Sequence, residues 1–95
     1  MPSYRLILTV ANVLNGADPA SVLPQSAQTL GRFVNVESFD VRISRGKPQL
    51  VLRYTAADKL EALGAAQQAL NEISSFIEVT NSQNLQRVHG RWEYI

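Results

Sequence analysis

The chain has 95 residues, 45% of them hydrophobic and 18% charged, with a net charge of +1. That leaves room for one modest core, so residues 1–95 are read as a single domain. There is no cysteine, which excludes disulfide scaffolds, thiolate metal sites and thiol nucleophiles. The one histidine, His89, excludes poly-histidine metal sites, and a charge of +1 makes no overall case for nucleic acid.

Tyr4, Leu6, Leu8 and Val10 alternate with Arg5, Ile7, Thr9 and Ala11. Tyr4–Val13 is therefore expected as a strand, not as the apolar core of a leader. No run approaches the ~18 apolar residues of a membrane span, so no membrane partner is expected and the cytoplasm is the default compartment. Asn15-Gly16-Ala17-Asp18-Pro19 reads as a turn leading into a helix, with Asp18 as N-cap and Pro19 at the first helical position. Pro24 then demands either a short turn before a helix starting there or a kink.

Glu37–Ser44 is expected as the second strand, with Phe39, Val41 and Ile43 on one side and Ser38, Asp40, Arg42 and Ser44 on the other. Arg45-Gly46-Lys47-Pro48 is the loop of a hairpin, and Gln49–Thr55 is its second arm. Ala57–Ser74 is the clearest helix, with Asp58 and Glu61 in capping-box spacing. Its apolar stripe is read as Leu60, Leu63, Leu70, Ile73 and Ile77, with Ala66 between. Phe76–Val79 has two readings, helix end or extended segment, and Thr80–Asn84 reads as a polar loop. From Leu85 onward, either His89-Gly90 turns a short hairpin or one strand runs through with Gly90 as a bulge. The turn signal favours the hairpin.

The order β-α-β-β-α-β predicts an α+β, two-layer ferredoxin-like βαββαβ sandwich. Right-handed crossovers place two helices on one face of an antiparallel sheet of order 4-1-3-2. Strand parity then sends Tyr4, Leu6, Leu8, Val10, Phe39, Val41, Ile43, Leu50, Leu52 and Tyr54 toward the helices. Arg5, Ile7, Thr9, Asp40, Arg42, Ser44, Val51 and Arg53 fall on the open face. In the hairpin reading Arg87 and Trp92 are cross-strand partners, with Leu85 and Tyr94 beside them.

An open face carrying arginines from three strands invites a partner. RNA-binding sheets need aromatic side chains on the central strands, and here those positions are Ile7, Thr9, Val51 and Arg53, so nucleic acid is not expected. No spacing of His89, Glu61, Glu72 or Glu78 makes a defensible acid–base pair or metal set, so no catalytic residue, metal or cofactor is expected. The expected role is a non-catalytic assembly or protein-interaction module, working through the open face or an exposed sheet edge. Arg5, Ile7, Thr9, Arg42, Val51 and Arg53 are its interface candidates. The expected partner is a second copy, as a homodimer, or another protein.

Val34-Asn35-Val36-Glu37-Ser38-Phe39, between a helix and a strand, resembles the helix-to-second-strand junction of ACT domains. The following hairpin and the helix at Lys59–Ile73 come in the ACT order. That resemblance implies a βαββαβ fold, pairing of sheets and a small-molecule effector such as an amino acid. It places the ligand candidates in the loop after the first strand, at Asn12, Asn15, Gly16 and Asp18. A third reading is a small enzyme of the dimeric α+β-barrel type.

Overall fold

The computed structural model describes all 95 residues, Met1–Ile95. Strand β1 spans Ser3–Val13, helix α1 Val22–Leu30, β2 Asn35–Ser44, β3 Lys47–Thr55, α2 Lys59–Ile73, β4 Ile77–Val88 and β5 Arg91–Tyr94. The five strands form one antiparallel sheet in the order β2-β3-β1-β4-β5. The two helices lie against each other and against the face bearing Tyr4, Leu6, Leu8, Leu50, Leu52 and Tyr54, a two-layer α+β arrangement. No helix is long and apolar enough to cross a membrane.

The ends of the elements follow from local chemistry. The Asp18 side chain accepts from the Ala20 N–H at 3.0 Å and caps a 3-10 turn at Pro19–Ser21. Helix α1 starts directly behind it, so Pro24 falls in its first turn, where a missing N–H has no helical acceptor to lose. Asp58 caps α2 by accepting from the Glu61 N–H at 2.8 Å, and the Glu61 carboxylate accepts from the Ala57 N–H at 3.1 Å. Both hairpin turns use a residue–glycine pair at positive φ, Arg45-Gly46 at 53° and 77° and His89-Gly90 at 50° and 78°. This is the mirror-image turn whose twist matches the strands it joins. The chain end is therefore a hairpin.

Two expectations are corrected. Thr80–Asn84 is not a loop but the middle of β4, paired with β1 from Thr9↔Asn81 to Leu6↔Asn84. Backbone pairing with a central strand outweighs the weak strand preference of these polar side chains. The apolar stripe of α2 is also different. Leu60 is 83% exposed, and the buried face is Ala62, Ala65, Ala66, Ala69 and Ile73. Small residues let the helix approach a sheet whose bulk is already supplied by Tyr4, Tyr54, Leu6 and Leu52. The approach is close enough for the Tyr54 hydroxyl to donate to the Ala62 carbonyl at 3.2 Å.

On β2 the expected facing holds. Phe39, Val41 and Ile43 lie opposite Leu52, Leu50 and Pro48, on the helix side as parity requires. They are nevertheless 48%, 44% and 69% exposed. Val41 shares an apolar groove with Val22 and Leu23 of α1, and the row is left partly open to solvent.

The packing gives an inverted size rule. Replacing Ala69 with Leu should overpack the helix–sheet seam and destabilise by about 1–3 kcal/mol. Leu60→Ala should shift stability by less than about 0.5 kcal/mol. Chemical denaturation of both variants checks this. A pH signature follows from Tyr54, whose hydroxyl burial pushes up to about 12, with Tyr4 beside it adding to the shift. The folded pKa is raised, so the contribution is intact below the unfolded value of about 10 and is lost as pH rises from there through about 12. A Tyr54→Phe variant should lose less stability over that window in alkaline melts.

Candidate functional site: a cationic sheet face

The face away from the helices is where the sequence-derived candidates converge. Pairing sets Arg5 directly opposite Arg53, Ile7 opposite Val51 and Thr9 opposite Gln49 on β1 and β3. Arg42 of β2 lies opposite Gln49, and Asp40 opposite Val51. All six interface candidates, Arg5, Ile7, Thr9, Arg42, Val51 and Arg53, thus share one face.

They do not share one exposure. Ile7 is only 4% exposed, and Thr9 is buried too. These two are packed members of the face, and the accessible chemistry is carried by the guanidinium groups around them. Like charges placed directly across a sheet are destabilising, and Arg5 and Arg53 are so placed.

Trp92 is what accommodates them. The hairpin sets it opposite Arg87 on the same face. The guanidinium carbons of Arg5, Arg53 and Arg87 lie 4.2, 5.4 and 5.8 Å from the centre of its ring system. Cation–π attraction is worth about 0.5–1 kcal/mol per exposed pair and more where water is displaced. On the other side of Arg53, the Glu37 carboxylate approaches its Nε at 3.7 Å. Burial, and then the nearby charges of Arg53, Arg42 and Arg87, press the Arg5 pKa below its usual value. Arginine pKa values are so high that the group stays charged. The signal for Trp92 and Arg87 was already in the sequence, in the His89-Gly90 turn that makes them cross-strand neighbours.

Toward the β2–β3 turn the face opens into a cavity of about 540 Å³. Its lining runs from Arg42, Arg45 and Lys47 on one side to Asn81, Gln83 and Tyr94 on the other, so the cavity crosses the face from β2 to β5. No acidic residue lines it. Arg42 is held in place: its Nε–H donates to Gln49 Oε1 at 2.8 Å, and Gln49 Nε2 donates to Thr9 Oγ1 at 3.1 Å. This chain crosses three strands and leaves the terminal nitrogens of Arg42 free of protein partners. A second hollow, of about 250 Å³, lies beside it between Arg5, Arg42 and Arg53. Arg45, Lys47 and Tyr94 were not among the sequence candidates; the order of the strands in the sheet brings them in.

The loop candidates lie elsewhere. Asn12 donates to the Glu78 carboxylate at 2.7 Å, and Asn15 donates to the Ser75 carbonyl at 2.7 Å. Asp18 is the cap described above, and Gly16 holds a φ of +70° in the turn. Each has a structural task that ties the end of β1 to the segment after α2 or starts the next helix. The nearest hollow, of about 210 Å³, is an apolar groove between Val10, Val22, Leu23, Val41 and Leu50.

Trp92 is the only tryptophan, so its emission reports on this face. Iodide should quench it two- to threefold or so more efficiently than caesium, because the guanidinium groups concentrate anions at the indole. Arg53→Glu should narrow that difference, as should added salt. Stern–Volmer titrations with the two quenchers check this.

No protein-family model matches the chain, and no curated protein matches it. The geometry of the face itself carries the functional reading.

Proposed function

We propose that this protein is a cytoplasmic, non-catalytic interaction module whose cationic sheet face docks an acidic segment of a protein partner. The observation that supports this best is the cavity lined by Arg42, Arg45 and Lys47 with no carboxylate among its walls. Arginine takes a carboxylate through two parallel hydrogen bonds, and a guanidinium already oriented by Gln49 and Thr9 loses little freedom in doing so. The opposed Arg5 and Arg53 point the same way. They burden the isolated domain with a repulsion that an incoming anion relieves.

A protein segment suits the face better than a nucleic acid. Its aromatic side chains, Trp92 and Tyr94, both sit on the short edge strand β5, and the indole is already covered by guanidinium groups. The central strands offer Ile7, Thr9, Val51 and Arg53, which give bases nothing to stack on. The five-stranded antiparallel sheet and the paired helices support reading the fold as a ferredoxin-like sandwich, with β5 added beyond β4. In that plan one face is left free for such a contact.

The test is a fluorescence titration of Trp92 with a Glu- and Asp-rich peptide of about a dozen residues. Binding should be measurable at low salt and should weaken as salt rises. Arg42→Glu should lower the affinity about tenfold, the loss of one charge-assisted contact. A neutral peptide of the same length should not bind. Absence of binding overturns the reading, as does a clear preference for a single-stranded oligonucleotide of equal charge.

A further inference from the structure

The two edges of the sheet are unequal. β5 is four residues long. β2 is ten residues long, and its only irregularity, between Val36 and Ser38, leaves Ser38–Ser44 as a regular unpaired edge. Exposed edges are usually shortened, charged or kinked, because they present a row of free backbone groups. This one instead carries three exposed apolar side chains, Phe39, Val41 and Ile43.

The backbone groups on that edge can be assigned. A two-residue turn at Arg45-Gly46 makes Ser44 and Lys47 the hydrogen-bonded closing pair. Counting back, Arg42 and Asp40 bond inward to β3, while Phe39, Val41 and Ile43 turn N–H and C=O outward. Val41 displays this: its N–H donates to the neighbouring Asp40 Oδ1 at 2.8 Å, a local substitute for a strand partner.

We propose that β2 pairs antiparallel with β2 of a second copy, about a two-fold axis passing between the two Val41 residues. In this register Val41 faces the partner's Val41, and Phe39 faces the partner's Ile43. Both are pairs in which outward backbone groups meet outward backbone groups. Between them Asp40 falls opposite the partner's Arg42, and Arg42 opposite the partner's Asp40. These are non-hydrogen-bonded positions, where opposed side chains come closest. The neighbouring registers are worse. A slip of one residue sets outward groups against inward ones. A slip of two sets either Asp40 against Asp40 or Arg42 against Arg42 on the axis. Backbone polarity and charge therefore select the same register.

The axis stands perpendicular to the sheet, so two five-stranded sheets become one of ten, with all four helices on one side. The apolar row of each copy adjoins that of the other, next to the groove lined by Val41 and Leu50. Both cationic faces end on the same side. This inference rests on the outward backbone of β2; it shares Arg42 with the acidic-segment reading but does not depend on it.

Light scattering across a dilution series should give about twice the 10.5 kDa chain mass at high concentration. Under the same conditions, hydrogen exchange should slow at the Phe39, Val41 and Ile43 amides and not at Asp40 or Arg42. Asp40→Arg and Arg42→Asp should each weaken the dimer about tenfold or more, and the two together should restore it to within a few-fold. Val41→Pro, which removes an outward donor and no bond to β3, should give a folded monomer. A monomer at all concentrations up to about millimolar overturns the pairing, as does a dimer indifferent to the charge swaps and to Val41→Pro. Acidic-peptide binding measured on the unmutated chain and on Val41→Pro, which leave Arg42 in place, keeps the two readings apart: an unmutated chain that stays monomeric and still binds the peptide overturns the pairing alone.

Discussion

Strand β1 is the constraint on which the rest of the structure depends. It pairs with β3 on one side and β4 on the other, and Leu6 through Val10 are buried without interruption. Its even-numbered residues, Tyr4, Leu6 and Leu8, anchor the core under the helices. Its odd-numbered residues build the opposite face, where Ile7 and Thr9 are as buried as core residues although no second layer covers them. A central strand with both faces filled tolerates no slip of register, because one residue of slip would exchange the two sets. Arg5 is therefore held opposite Arg53 by the packing of its neighbours.

That enforced placement explains how a nearly neutral chain comes to have a strongly polarised surface. Arg5, Arg42, Arg53 and Arg87 share the open face, and Arg45 and Lys47 border it. Asp40 and Glu37 are the acidic residues among them, and Glu37 is engaged with Arg53 and with the Ser3 hydroxyl. Much of the remaining acidic charge belongs to α2 and its flanks, on the other layer of the domain. Net charge describes solubility, whereas local potential governs encounter and binding.

The helical layer is asymmetric in a way that matters for the edges. α2 comes close to the sheet by presenting alanine, and its fifteen residues serve the β1–β4 side. α1, nine residues long, lies beside β2, where Val22 and Leu23 share an apolar groove with Val41. The apolar residues of β2 are thus correctly oriented and incompletely buried.

Much of this was legible in the sequence alone. Alternation located β1 and both arms of the hairpin, Asp58 and Glu61 located the start of α2, Asp18 located the turn ahead of α1, and residue–glycine pairs located the turns, because each of these signals acts over a few residues. Strand parity likewise put the six face residues together. What the sequence could not show were effects of distance. β4 is a strand because β1 offers it a ladder, although Thr80–Asn84 has the composition of a loop. Ala62, Ala66 and Ala69 are the buried stripe of α2, and Leu60 is not, because the sheet opposite already supplies the bulk. Trp92 lies over Arg5 because two strands that are far apart in the chain share a neighbour in β4. The cavity that gathers Arg45, Lys47 and Tyr94 around Arg42 draws on β2, β3 and β5, whose order in the sheet no short window of residues contains.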